Sequence, residues 1–217
     1  MKWKTKKLLL SNVITGSILV IYYLFFHSKS YLKQTGWFKS FYRQRSIEYN
    51  KKPIPWITYS CLKFIENKIK NDWAIAEFGS GSSTSWWAEK VKQVVAIEHN
   101  KKWYTYVKNM VPSNCLLIFA AEDEDKYEQA LLKYQKHFDV IVIDGIKRVE
   151  CAKNILSSLN NNGIIIWDNS DRKTDEEGIK YLMKHKYRKI DFWGMGPIGF
   201  DAWQTSIFYK QNNCLDI

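Results

Sequence analysis

Paired cysteines are missing from this 217-residue chain. Its four, Cys61, Cys115, Cys151 and Cys214, form no CxxC spacing, so neither a disulfide framework nor a zinc site is expected. Internal repeats and low-complexity tracts are absent too, which excludes a repeat architecture. Charge excess is absent from most of the length. Residues 1–52 hold eleven Lys/Arg against the single acid Glu48, whereas the remainder holds twenty-two Lys/Arg against twenty-one acids. The net +11 is therefore a property of the N-terminal arm, and a nearly neutral globular part argues against nucleic acid as partner. What is present is a 46% hydrophobic content, ample for one domain with a large core.

The arm carries an uncharged run, Leu8 to Phe26, behind Lys2, Lys4, Lys6 and Lys7. Its length predicts an uncleaved, single-pass transmembrane anchor over residues 1–30, closing on Tyr22, Tyr23, Phe25 and Phe26 as an interfacial belt. Lys29, Lys33, Lys39, Arg43 and Arg45 follow it, so the charge balance does not orient the anchor. Residues 31–55 read as a basic juxtamembrane linker, and Pro53 and Pro55 mark the start of a domain over 56–217.

Within that domain, strand-like and helix-like segments alternate. Strands are expected at 73–78, 93–98, 115–120, 138–144 and 163–167. Helices are expected at 83–91, 101–110, 124–136, 147–159 and 174–186. Runs such as "DVIVID" and "GIIIW" are continuously apolar, as in strands covered on both faces. The pattern predicts a doubly wound α/β fold with a mostly parallel, seven-stranded sheet. Its last two strands, "YRKIDFWG" and "WQTSIFYK", are joined too tightly for a parallel crossover and must pair antiparallel.

The richest segment is "AIAEFGSGSSTSWWAEK". Glu77 ends the first strand, and Gly79, Gly81 and Ser83 lie in a turn whose glycines permit close backbone approach. A dinucleotide fingerprint wants a third glycine where Thr84 stands. Nineteen residues after Gly79, Glu98 ends the second strand, where a carboxylate can accept both hydroxyls of a ribose. Together these point to a nucleoside-type ligand. Asp144 ends the fourth strand, and Asp168-Asn169 ends the fifth. Two carboxylates and an amide oxygen at one sheet edge suit a hard cation such as Mg2+.

"EFGSGSSTSWWA", "VVAIEHN", "FDVIVIDG", "GIIIWDNSD" and the closing hairpin together resemble the class I S-adenosylmethionine-dependent methyltransferases, over about residues 57–210. The resemblance implies that Glu77, Gly79 and Gly81 cradle the methionine part of S-adenosyl-L-methionine. It places Glu98 on the ribose, and Ala121 and Glu122 beside the adenine. The trio Asp144, Asp168 and Asn169 is similar to the metal site of catechol-type O-methyltransferases, although "IDGIKR" lacks the lysine or histidine pattern usual there. Asp144 is the residue expected to activate an acceptor hydroxyl, directly or through the metal. Arg172 is expected either to clamp an anionic or polyol substrate or to form a surface ion pair, and the loop Gly194 to Trp203 either to border the acceptor or to be a plain hairpin loop.

The function expected is O-methylation of a small-molecule or glycan-like acceptor near a membrane. A cytosol-facing domain is the simpler arrangement in a bacterium, and a lumenal one stays open in a eukaryote. Two rivals stand beside it: a nicotinamide-dependent oxidoreductase, and a non-catalytic nucleoside-binding scaffold. No N/D-P-P-Y/F tetrapeptide follows the fourth strand, which argues against amino methylation of nucleic acid.

Overall fold

Residues 11–122 and 126–217 are described by the computed structural model. Among the described residues the first helix is α1 (Val13–Phe25), followed by α2 (Tyr31–Gln34), α3 (Trp37–Arg43) and α4 (Tyr59–Ile65). The alternating part then runs β1 (Ala74–Phe78), α5 (Ser82–Ala88), β2 (Gln93–Glu98), α6 (Lys101–Lys108), β3 (Cys115–Phe119), β4 (Phe138–Ile143), α7 (Arg148–Asn154), β5 (Leu159–Asp168), α8 (Glu176–Lys184), β6 (Arg188–Gly194) and β7 (Trp203–Tyr209). The strand order is β3-β2-β1-β4-β5-β7-β6, with the first five parallel. β7 enters antiparallel between β5 and β6, as the short connection requires.

The continuous apolar runs are explained by two cores, one on each face of the sheet. In β4, Val140 and Val142 join a cluster with Ile57, Leu62 and Trp87, while Ile141 and Ile143 join Cys151, Ile155 and Leu182 on the other side. Side chains alternate between faces every residue, so a strand covered on both must be apolar throughout. Each buried aliphatic side chain contributes roughly 1.5–3 kcal/mol. Glu77 in β1 is a polar exception in this layer, only 2% exposed.

Three expectations change. The anchor is the largest correction. Asn12 accepts from the Ile14 and Thr15 amides and starts α1 there. The helix has 13 residues, about 20 Å at ~1.5 Å per residue, against a bilayer core of ~30 Å. Among the described residues, no helix is long and apolar enough to cross a membrane. Leu8 to Leu10 and the leading lysines lie outside the described residues. The transmembrane helix, the membrane as partner and the single-pass localisation expected from this run therefore lose their support.

Of the helix expected at 124–136, residues 124 and 125 are not described and 127–133 form successive turns. Tyr127 and Leu131 still bury completely, so the apolar spacing was real but was met without a helix. The helix expected at 147–159 stops at Asn154, because Leu159 already pairs with Phe138 in the sheet.

Residues 31–55 form two short helices that pack on the domain. The Trp37 indole donates to the Gly199 carbonyl at 2.6 Å, and Ser40 and Ile54 are buried. The arm thus touches the loop between β6 and β7.

Candidate active site

β1 delivers Glu77 to the sheet edge, and the turn after it bends back sharply. Gly79 and Gly81 take φ of 103° and 155°, values in the range that favours glycine. The Gly79 amide donates to Ile97 O at 2.8 Å and fastens the turn to β2. The fully buried Thr84 hydroxyl donates to the Glu77 carboxylate and accepts from the Gly81 amide at 2.9 Å. The residue that spoke against a dinucleotide is thus the brace of this turn. A hydroxyl three residues after a turn glycine, at capping-box spacing, was the available signal. Burial pushes the Glu77 carboxyl up to about 7, against the lowering effect of the Thr84 and Ser83 hydrogen bonds.

β2 delivers Glu98, 3% exposed. Its Oε2 accepts from Ser80 Oγ at 2.8 Å and its Oε1 from the Asn100 amide at 2.8 Å. Nδ1 of His99 is buried 3.3 Å from Oε1, without hydrogen-bond alignment. A carboxylate offers about four lone-pair sites, so Glu98 retains acceptor capacity. The Trp103 indole donates to Ser80 O at 2.8 Å and lies over Gly81. Sequence reading missed Trp103, which looked like one face of an ordinary helix.

Glu77, Gly79, Ser83, Glu98 and Asp144 line one cavity of about 380 Å3 together with Trp103. That volume lies within the ~300–1,000 Å3 typical of small-molecule sites. Gly81 sits at its rim beneath Trp103. Ala121 is half-buried and Glu122 exposed, and neither lines it. A buried carboxylate with acceptor capacity to spare, a glycine turn and an indole wall are groups that would suit S-adenosylmethionine.

A second cavity of about 450 Å3 adjoins the first, and Asp144 lines both. Its other walls include Trp56, Arg148, Asn169, Arg172, Asp201 and Trp203. Asp168 is held inward, its Oδ1 accepting from the Trp203 indole at 2.9 Å and from the Thr205 hydroxyl at 2.6 Å. Burial holds both Asp144 and Asp168 above the usual carboxylate range. Asp168 pushes Asp144 further up, and Arg148 opposes the rise.

The strand-end oxygens do not fit Mg2+, because a cation of the chain's own stands among them. Arg148, 7% exposed, donates to Gly145 O and Asp168 O at 2.9 Å each. It also reaches Asn169 Oδ1 at 3.3 Å and Asp144 Oδ1 at 3.4 Å. Asn169 Oδ1 accepts from Arg172 as well, at 2.8 Å. Among the described residues, no group of three or more His, Cys, Asp or Glu could hold a metal ion. The guanidinium supplies the positive charge that a divalent ion would bring.

No family model matches the chain. It is 28% identical over 145 residues to ribosomal protein L11 methyltransferase from Prochlorococcus marinus (strain AS9601), a match covering 62% of this chain and 46% of that protein. The chain therefore matches about half the length of its curated relatives. Precorrin-6y C5,15-methyltransferase from Geobacter metallireducens superposes with a TM-score of 0.53 at 16% identity, covering 66% of this chain and 84% of that one. The tRNA (m1A58) methyltransferase from Aquifex aeolicus gives 0.50 at 12% identity, covering 74% and 71%. The fold is the Rossmann-like methyltransferase fold with a seven-stranded mixed sheet.

Proposed function

We propose that the chain is an S-adenosylmethionine-dependent methyltransferase acting on an oxygen of a small-molecule or glycan-like acceptor. The observation that carries this reading is the position of Asp144, on the common wall of two adjoining cavities. Glu98 takes the ribose hydroxyls, while Gly79 and Ser83 shape the turn beside the methionine part. Trp103 closes the cavity from the α6 side. The bound cosubstrate supplies an already electrophilic sulfonium methyl. What the chain adds is alignment of the acceptor and removal of its proton. Asp144 holds that proton: a carboxylate raised by burial is a stronger base than an exposed one, and it becomes ionised only at higher pH.

The relatives support methyl transfer as the reaction class and differ in acceptor. Their names specify a ribosomal protein, a precorrin and a tRNA. One fold hosts many acceptors, so the acceptor has to be read from this chain's own second cavity.

Calorimetric titration of the full chain with S-adenosylhomocysteine and with NADH, beside Glu98→Ala, tests the reading. Micromolar binding of the homocysteine compound, weakened at least about tenfold in the variant, is expected. Binding of NADH alone would replace the reading by an oxidoreductase. If a folded chain binds neither, a scaffold role takes its place.

A further inference from the structure

The second cavity has a composition that narrows its occupant. Two indoles form part of its wall. The Trp203 ring is fixed by its hydrogen bond to Asp168 and by Gly196, where any side chain would collide with it. Trp56, 49% exposed, lines the same cavity and leaves aromatic surface open to solvent. The same cavity is lined by the acceptors Asp144, Asn169 and Asp201 and by the exposed donor Arg172.

We infer that this cavity receives a sugar ring and presents one of its hydroxyls to Asp144, an assignment that rests on the methyltransferase reading of the adjoining cavity. A pyranose has an apolar C–H face that covers an indole, and a rim of hydroxyls that donate to carboxylates and accept from a guanidinium. Other ligand classes match less of the wall. A flat apolar acceptor would strip water from the exposed Arg172 and Asp201 without replacing its hydrogen bonds, at a cost for every polar group it covers. A polyanion such as a nucleic-acid strand would meet three carboxylates against two guanidiniums, one of them already committed to backbone carbonyls. A lysine ammonium would approach Asp144 against Arg148 and Arg172. In the transfer, the sugar hydroxyl gives its proton to the Asp144 carboxylate, and its oxygen forms the new C–O bond. The methyl carbon's bond to sulfur breaks, with the electron pair staying on sulfur as a neutral thioether.

Saturation-transfer NMR on the full chain tests this with millimolar methyl glucoside, galactoside and mannoside. Nα-acetyl-lysine amide and a diribonucleotide serve as competing classes, and S-adenosylhomocysteine is titrated in parallel. At least one glycoside is expected to bind and to weaken at least about fivefold in Trp56→Ala, with homocysteine-compound affinity unchanged. The exposed position of Trp56 keeps that variant folded. A chain that binds S-adenosylhomocysteine but no glycoside, or binds the lysine amide or the diribonucleotide instead, overturns the sugar assignment and leaves the methyltransferase reading standing. Glycoside binding unaffected by Trp56→Ala overturns the assignment of this cavity. Glycoside binding without any S-adenosylhomocysteine binding overturns the methyltransferase reading, and the acceptor role with it.

Discussion

Glu77 shows how one buried carboxyl couples the fold to pH. Its pKa rises from 4.5 to about 7 in the folded chain, so the folded state holds a proton that the unfolded state releases earlier. The Glu77 contribution to stability is therefore fully present below pH 4.5, is lost as pH climbs through the window up to about 7, and levels off above it. Asp144 and Asp168, raised for the same reason, slope the same way. In Glu77→Gln the Glu77 share of that slope, on the order of 3 kcal/mol, should vanish while the share from the other two persists. Urea unfolding of both proteins at pH 5 and at pH 7.5 measures the difference, and identical pH dependence would contradict the buried-acid account. The hydrogen bond from Thr84 is retained by glutamine, whose carbonyl still accepts it.

Among the elements, the loop between β6 and β7 is the least self-sufficient. It holds Gly196, Pro197 and Gly199, and a left-handed Ile198 at φ 69°. It is secured from outside: the Tyr59 amide donates to Met195 O at 2.9 Å, and the Trp37 indole donates to Gly199 O. α3 thereby braces one wall of the second cavity, helped by stacking of Trp37 on Phe41 at 5.1 Å. Trp37→Phe keeps the ring and removes the donor. Hydrogen exchange at residues 198–202 should quicken by several-fold, while global stability falls by no more than about 1.5 kcal/mol. Unchanged exchange there would mean that the arm only rests on the loop.

At the scale of the molecule, two cavities open at the C-terminal edge of the strands, where parallel sheets place their ligands. A ligand that binds only the folded chain stabilises it by mass action, about 2.7 kcal/mol at a hundredfold excess over Kd. With S-adenosylhomocysteine the melting temperature should rise by several degrees for a chain of this size. Added Mg2+ should leave both the rise and the affinity unchanged, since Arg148 engages Asp144 and Asn169 while Trp203 and Thr205 engage the Asp168 carboxylate. Differential scanning fluorimetry with and without EDTA reads both effects, and a Mg2+-dependent shift would overturn the account of Arg148.

The sequence by itself determined the sheet and the first cavity. Apolar runs without alternation require strands covered on both faces, and the short last connection requires an antiparallel return. A strand-end acid beside a glycine turn is complete within a dozen residues, so Glu77, Gly79 and Ser83 were legible without a partner strand, and Glu98 followed from its interval. Tertiary structure decided the second cavity and the fate of the arm. Arg148 lies four residues after Asp144, but it meets Asp168 and Asn169 only because β4 and β5 pair side by side. Trp56 and Trp203 are far apart in the chain, and only the fold brings them to line one cavity. The apolar run at the start matched a membrane span by length alone. Within the described residues Asn12 caps the helix over 13–25, and hydrophobicity averaged over a run does not report which side chain satisfies a backbone amide.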